Sequence, residues 1–385
     1  MLFIKSMNIL ILKNPYESQG FGGGEVHTMQ VANFLRKCGH KVYFAGSCKY
    51  LLKSAKKDKF EVERINFAGT EAVTEFAILK FLFQWPFIKK RYLDFLKRYR
   101  KEKKINVLYI LSWNEKFLLA PIAKKLGMKI IFVEHRLLER FIKSNPFKNW
   151  YVKGTRDATV IAVSNAVKRG LLELGVDDEN IEVVYNGVDL EEFRGARSVS
   201  NKDEHSIKIG TIGRLSEDKG IEYLIDAAEI VLKKDINVEF EIAGEGPLYE
   251  SLKVKIEKLK RQNKIRLLGR LSRKNVIIFL DSLDLFVLAP THGEAFGIVL
   301  AEAGAMNLPS VVTDVGGTPE VVWDGKTGFV VPAKDSRAIA DALIRLIQSR
   351  ALRIKMGNAA RERIEKKFDL SKMLNSIKRI VTDDS

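Results

Sequence analysis

Short apolar runs of strand length recur along the whole chain, and most are separated by a stretch long enough for a helix. Seven occupy the first half: NILIL (8–12), KVYFAG (41–46), EVERINF (61–67), NVLYIL (106–111), KIIFVEH (129–135), ATVIAVS (158–164) and IEVVYNG (181–187). Six follow: SIKIGTIG (206–213), VEFEIAG (238–244), KIRLLG (264–269), LDLFVLAP (283–290), PSVVTD (309–314) and GFVVP (328–332). Between them lie helix-length segments such as EVHTMQVANFLRKCG (25–39) and NAVKRGLLELG (165–175). Strands alternating with helices imply parallel sheets, because a parallel pair needs a crossover and the crossover helix covers a face of the sheet. At 385 residues the chain exceeds one typical core. The polar, aperiodic stretch RGARSVSNKDEHS (194–206) separates the two sets of strands and reads as an interdomain linker. The expected fold class is α/β, with two doubly wound parallel-sheet domains facing each other across a cleft. Ligands then bind beyond the carboxyl ends of the strands.

Composition narrows the class. Hydrophobic residues make up 46% and charged residues 29%, as in a soluble globular protein. The apolar runs are far shorter than a membrane span. The start, MLFIKSMNILIL, shows no signal peptide with a cleavage site, and Met7 is as good a candidate for the native start as Met1. The two cysteines, Cys38 and Cys48, exclude a disulfide scaffold and point to a reducing, cytoplasmic location. The net charge of +17 is uneven. Residues 1–197 hold 35 basic against 21 acidic side chains, and the remainder 30 against 27. A basic first half suits nucleic acid, an anionic membrane or phosphorylated substrates. A lysine-rich surface is also an ordinary feature of proteins from hot environments, so charge alone does not choose.

Three loops after strands stand out. QGFGGGEVH (19–27) sets three successive glycines before a helix, where backbone amides and the helix dipole can meet an anion; a plain flexible turn is the other reading. It is neither a P-loop nor a dinucleotide fingerprint. GRLSEDKG (213–220) places Arg214 and Lys219 at a strand end, where they are either surface decoration or phosphate ligands. AGEGP (243–247) ends the next strand with small, backbone-open residues. All are expected to rim one cleft.

The stretch THGEAFGIVLAEAGAM (291–306) says most. It reads as a loop carrying Glu294, then an apolar helix carrying Glu302. Glu294 can cap the helix, and Glu302 can be a solvated residue. The helix is otherwise too apolar for a surface element, which favours a buried, working carboxylate. A carboxylate suits paired hydroxyls such as a ribose diol, and a second one suits a sugar. The amides of Phe296, Gly297 and Ile298 at the helix start suit a diphosphate. One stretch can thus hold a whole nucleotide-sugar.

At these residues the chain resembles the retaining glycosyltransferases of the GT-B fold, in the group typified by glycosyltransferase family 4. The motifs carrying the resemblance are GGGEVHTMQVANFLRKCGHKV, VSNAVKRGLLELGV, VVYNGVDLEEF, IGRLSEDKGIEYLIDA, IAGEGPL, HGEAFGIVLAEAGAM and TDVGGTPEVV, in that order and over nearly the whole chain. The resemblance implies an acceptor-binding Rossmann-like domain over 1–195 and a nucleotide-sugar-binding one over 206–365. It also implies a C-terminal helix, 366–385, packing back on the first domain. Glu294 and Glu302 match the family's E-x7-E pair, the first for the donor sugar and the second for the ribose. Arg214 and Lys219 match the basic pair that neutralises the diphosphate, with Gly213 beside them. Gly23 and Gly24 match the loop over phosphates or acceptor, and His135 in VEHR matches the histidine near the reacting carbon. GGTPEVV (316–322) falls on the nucleotide side, and the backbone of Leu268–Arg270 falls at the base. Departures at His292 and Ala295 leave the donor's hexose open, whereas Asn307, where many relatives have glycine, alters a turn and not the chemistry; nothing marks UDP over GDP.

The implied activity is transfer of a hexose from a nucleoside-diphosphate sugar to an acceptor hydroxyl with retained anomeric configuration, without a cofactor or a metal. A GT-B-fold nucleotide-sugar 2-epimerase is the nearest alternative enzyme, and a non-catalytic sugar-nucleotide sensor stays open. A basic nucleic-acid-binding protein is the alternative from another class, but no recognisable module supports it, and no nucleic acid partner is expected. The stretch 76–104 carries ten basic residues against Asp94 and Glu102, interleaved with Phe81, Phe83, Trp85, Phe87, Tyr92, Phe95 and Tyr99. Pro86 divides it into two helix-length pieces. It reads either as a segment lying on an anionic membrane that presents a lipid-linked or glycan acceptor, or as packed helices with lysines on the wet side.

Overall fold

The computed structural model describes residues 6–14, 22–65, 75–137, 145–194, 206–261 and 263–383. Residues 195–205 of the expected linker, 19–21 of the glycine-rich loop and 66–67 of the third expected strand lie outside the described residues. The chain divides into two compact units. Unit 1 is Met1–Val184 with Leu374–Ser385, and unit 2 is Tyr185–Met373.

Unit 1 is built on a seven-stranded sheet: β1 (Asn8–Lys13), β2 (Lys41–Gly46), β3 (Glu61–Arg64), β4 (Val107–Ile110), β5 (Lys129–Glu134), β6 (Thr159–Ala162) and β7 (Ile181–Val183). The spatial order is β3-β2-β1-β4-β5-β6-β7, and every neighbouring pair is parallel. Ile9 of β1 lies between Val42 of β2 and Val107 of β4. Residues Ile9 to Leu12 and Val107 to Ile110 are wholly buried. That is why these strands read as continuous apolar runs and not as alternation: both faces of the sheet are covered.

Unit 2 repeats the plan with β8 (Ile207–Ile212), β9 (Val238–Ala243), β10 (Ile265–Gly269), β11 (Leu285–Leu288), β12 (Ser310–Thr313) and β13 (Gly328–Val331). Their order is β10-β9-β8-β11-β12-β13, again parallel throughout. Counted within each unit, both sheets begin with the order 3-2-1-4-5-6 of a Rossmann fold. The winding reverses between β1 and β4 in unit 1 and between β8 and β11 in unit 2. Loops leaving the two strands at such a reversal diverge and open a crevice. In unit 2 those loops are GRLSEDKG and THGEAFG.

All thirteen expected strands are present, but one helix departs from expectation. Pro86 does not divide 76–104: the structure has a single helix, Glu75–Glu102, with Pro86 inside it. An interior proline costs a helix about 3 kcal/mol. Phe81, Ile88, Tyr92, Phe95, Leu96 and Tyr99 offset that, because they form one buried stripe along the helix. Burying a large apolar side chain contributes roughly 1.5–3 kcal/mol. At the other end of the chain, the helix Leu370–Thr382 crosses the boundary after Met373, and the rest of it, from Leu374 on, belongs to unit 1. There Arg379 pairs with Glu182 at 2.5 Å, and Ile377 and Val381 are wholly buried.

Candidate active site

In unit 2 four loops converge at the carboxyl ends of the central strands. After β8 the chain runs through Gly213–Ser216 into a short 3-10 turn, Glu217–Lys219. Leu215 anchors this loop. It is fully buried; its amide donates to the Glu245 carbonyl and its carbonyl accepts from the Leu248 amide, both at 3.0 Å. The loop after β9 is thereby locked against it, and Arg214 next door is turned outward and exposed. The Thr291 amide donates to the Asp218 carbonyl at 2.8 Å, and the Gly317 amide donates to the Glu294 carbonyl at 3.0 Å. A Cβ at position 317 would stand 2.2 Å from the Ala295 carbonyl oxygen, so only glycine lets GGTPEVV pack this closely. Residues 213–220, 244–248, 291–297 and 315–318 thus form one rim at the crevice.

Lys219, Asp218 and Glu294 on that rim are paired with one another. Lys219 Nζ lies 2.7 Å from Glu294 Oε2 and 3.5 Å from Asp218 Oδ2. Burial opposes the Lys219 ammonium, yet Glu294 and Asp218 outweigh it and hold its pKa above the usual range. Ser216 Oγ donates to Asp218 at 2.5 Å. Burial disfavours the Asp218 carboxylate, but this bond and Lys219 prevail and lower its pKa. The side chains of Arg214 and Arg270 are exposed and have no hydrogen-bond or ion-pair partner among the described residues. Arg270 follows β10, whose register slips between Leu267 and Gly269. A Cβ on Gly213 would meet nothing within 4 Å, so this side of the loop is open.

The helix Ile298–Ala305 begins at Gly297, whose φ of +82° turns the chain into it; that conformation favours glycine. The amides of Phe296, Gly297 and Ile298 have no backbone acceptor among the described residues. The Phe296 ring is buried edge-on against Phe368, centroids 5.3 Å apart, so this residue offers a ligand only its main chain. Glu302, 5% exposed, is held by Arg273 Nη1. Arg273 also grips Glu192 through Nε at 2.8 Å and Nη2 at 2.7 Å. Burial pushes the Glu302 carboxyl up, while Arg273 pulls it part of the way back.

Unit 1 is arranged differently. His135 follows β5, and His27 lies one turn into the helix Gly23–Lys37. Their rings meet edge to face with centroids 4.6 Å apart. A Cβ on Gly24 would lie 3.7 Å from the His135 ring, so the predicted Gly24 and His135 are neighbours. His27 Nδ1 and His135 Nε2 are buried without a hydrogen-bond partner. Burial lowers His27 to about 4. Burial, then His27, Lys13 and Lys116, hold His135 well below the usual range. Both imidazoles are therefore neutral at neutral pH. Beside them, Lys13 pairs with Glu25 at the helix start. Glu134, the residue before His135, accepts from Lys116 Nζ and Tyr151 Oη, each at 2.6 Å, and all three side chains are buried. Lys116 also donates to the Val133 carbonyl at 2.7 Å. Glu115 accepts from Asn14 at 2.7 Å and Tyr92 at 2.9 Å, which ties the end of β1 to the long helix.

Several of these residues escape sequence reasoning. Arg273 gives no signal beyond its place after the N-cap Ser272, because its partners lie 29 and 81 residues away. His27 reads as one position in a helix. Lys116 leaves a trace in WNEKFLLAP, where a Glu-Lys pair opens an apolar helix. Among the described residues no group of three or more His, Cys, Asp or Glu side chains is placed to hold a metal ion.

Comparison with known proteins agrees in both halves. The profile of the Glycosyltransferase Family 4 domain matches residues 21–192, and that of the Glycosyl transferases group 1 matches residues 193–363. The capsular polysaccharide biosynthesis glycosyltransferase CapM of Staphylococcus aureus is 32% identical over 220 residues, which are 54% of this chain and 57% of CapM. A phosphatidyl-myo-inositol mannosyltransferase of Mycobacterium leprae is 32% identical over 222 residues, 57% of this chain and 58% of that protein. These matches therefore span a little over half of the curated relatives. The crystal structure of Anabaena HepE in complex with UDP superimposes with a TM-score of 0.81 at 20% identity, covering 97% of this chain and 99% of that one. At that identity the likeness speaks for the fold. Two profiles that together run from residue 21 to residue 363, over two parallel sheets of Rossmann order, place the chain in the family 4, group 1 glycosyltransferases of the GT-B fold.

Proposed function

We propose that the protein is a retaining hexosyltransferase that takes its sugar from a UDP- or GDP-sugar and passes it to an acceptor hydroxyl without a metal ion. The observation that carries this reading is the rim of unit 2. Lys219 and Glu294 stand as an ion pair at the winding reversal, next to the open amides of 296–298, and Glu302 lies inside the same helix. Departure of a nucleoside diphosphate builds negative charge, and fixed donors aimed at it stabilise that charge best. Lys219, Arg214 and the three amides take this role. Glu294 orients the sugar, Glu302 meets the ribose, and Arg270 with Gly213 borders the base and phosphates. In unit 1, neutral His135 donates or accepts a hydrogen bond at the sugar, and Gly23 and Gly24 border phosphate or acceptor. In the step itself the anomeric carbon–oxygen bond to the diphosphate breaks and the acceptor oxygen bonds on the same face. The acceptor proton passes to a diphosphate oxygen, so configuration is retained without a protein nucleophile.

UDP in the HepE complex supports a uridine donor by likeness of fold only. A panel of UDP-, GDP- and ADP-sugars, read by thermal stabilisation, by transfer and by free epimerisation, tests the reading. Stabilisation by one donor class with sugar transfer is the expected result. Epimerisation without transfer, or no response to any donor, overturns it.

For the acceptor, we favour a lipid-linked or membrane-presented glycan met at an anionic surface, with the protein peripheral to it. Phe83 and Phe87, one helical turn apart, are 81% and 68% exposed, beside exposed Lys89, Lys90 and Arg91. Each basic residue near an anionic bilayer contributes about 1 kcal/mol. Phe81, Tyr92, Phe95 and Tyr99 point inward instead, so the exposed aromatics at the N-terminal end carry the idea. Among the described residues no helix is long and apolar enough to cross a membrane. Co-sedimentation with anionic liposomes at low salt, lost on changing Lys89, Lys90 and Arg91 to Glu, is expected. Absence of binding at low salt, with efficient transfer to a water-soluble acceptor, removes the membrane part of the reading.

A further inference from the structure

Glu302 is a carboxylate with one oxygen committed and one waiting. Oε1 is taken by Arg273 Nη1, and Oε2 has no donor among the described residues. Arg273 is itself held on three sides. It opens the helix Arg273–Ser282, where Ser272 Oγ caps the helix start by accepting from the Asn275 amide at 3.3 Å. Its Nε and Nη2 reach the two carboxylate oxygens of Glu192 at 2.8 and 2.7 Å. Its guanidinium carbon lies 4.8 Å from the centroid of the Phe193 ring, which is fully buried. A guanidinium is a rigid planar fork, so fixing two of its nitrogens on Glu192 fixes the direction in which the third presents itself to Glu302. Without this cation a carboxylate as buried as Glu302 would favour its neutral form and lose its orientation. Arg273 also stands three residues after Arg270, the last of the stretch 268–270 whose backbone is expected at the base, so it links the base end of the site to the ribose carboxylate.

We propose that Arg273, clamped by Glu192, is a positioning residue that aims Glu302 at the ribose hydroxyls and so sets how strongly the site prefers ribonucleotides to deoxyribonucleotides. This rests on the reading in which Glu302 meets the ribose. A site built to accept a hydrogen bond from a hydroxyl rejects the analogue that lacks it, provided the acceptor is held still. A merely structural Arg273 would affect folding and overall affinity, and would leave that preference alone.

The test is calorimetric titration of the wild-type protein and the variants Arg273→Met, Glu192→Gln and Glu302→Ala with UDP, GDP and their 2′-deoxy and 3′-deoxy forms. Circular dichroism and melting show which variants fold. The wild type is expected to prefer the ribonucleotide of its tighter-binding base by roughly tenfold, the worth of a hydrogen bond to a charged group. Glu302→Ala abolishes the preference and weakens binding. Arg273→Met brings the preference to within about twofold, and Glu192→Gln, which takes away one of the two clamping oxygens and leaves Arg273 charged, lies between. If Glu302→Ala keeps the preference, or the wild type shows none, the ribose reading of Glu302 falls and the proposal with it. If Glu302→Ala loses the preference while folded Arg273→Met keeps it, only the positioning role falls. Should Arg273→Met not fold, Glu192→Gln decides: an unchanged preference overturns the clamp, and a reduced one supports it.

Discussion

The two units share strand order and differ in what they place at the strand ends. Unit 2 meets its candidate ligand with charges already paired to one another: Lys219 with Glu294 and Asp218, and Arg273 with Glu302 and Glu192. Unit 1 presents two neutral imidazoles, His27 buried and His135 half-buried, each with a buried, unpartnered nitrogen, next to a buried Lys116–Glu134 pair. On the proposed reading, a paired cation suits an anion that arrives charged. A neutral imidazole with a free nitrogen suits hydroxyl groups. One strand order thus carries two different sets of side chains at its strand ends, because the loops, and not the sheet, differ.

The sharpest way to break this contrast is at Lys116. Replacing it by Met leaves Glu134 charged and buried with only Tyr151 as donor. Unit 1 is expected to lose about 3–5 kcal/mol of stability in urea unfolding, with most of it restored when Glu134→Gln is added. A loss below about 1 kcal/mol would place the pair among ordinary surface bridges. In unit 2 the effect should fall on turnover instead. Lys219→Ala and Arg214→Ala are each expected to raise the barrier by about 2–4 kcal/mol, seen in kcat more than in KM, because charge on the leaving group grows toward the transition state. Unchanged kcat in both variants removes their diphosphate role. A melt shifted as far by Lys219→Ala as by Lys116→Met erases the difference between the units.

A smaller effect separates the sites by pH. The unfolded chain protonates His27 below its usual 6.5, and the folded chain does so only below about 4. Stability from the neutral ring is therefore complete above pH 6.5 and is lost as the pH falls through that window. Between pH 7 and pH 5 the wild type should lose about 2 kcal/mol relative to His27→Phe. Taking the difference cancels Glu115 and Glu302, whose raised values act in the opposite sense. The rim of unit 2 titrates elsewhere: the contribution of Asp218 is lost only as the pH falls below 3.8, and that of Lys219 only above 10.5. Parallel curves for wild type and variant would mean that His27 is not held neutral by burial. The smallest expected effect is none at all. Transfer should proceed equally with and without EDTA, since protein cations are read as the counter-charge. Abolition by EDTA with rescue by Mg²⁺ or Mn²⁺ would move that role to a metal.

Much of this molecule was legible in one dimension. Parallel strands buried on both faces must be runs of Val, Ile and Leu, and crossovers must be long enough for helices, so NILIL, NVLYIL and LDLFVLAP announce themselves and their alternation implies the sheet. Glu294, Lys219 and the amides of 296–298 sit in loops directly after strands, and any sheet of this topology brings such loops to one edge. What the sequence could not decide depends on partners far apart along the chain. Pro86 stays inside a helix because a stripe of buried side chains outweighs a local penalty. Arg273 meets Glu302 and Glu192 across 29 and 81 residues, and His27 meets His135 only because the helix after β1 and the end of β5 come together. Local pattern determines which segments become strands and helices, since period and propensity act within a few residues. Which charges are buried together, and therefore which are paired, neutral or poised, depends on packing that only the folded chain supplies.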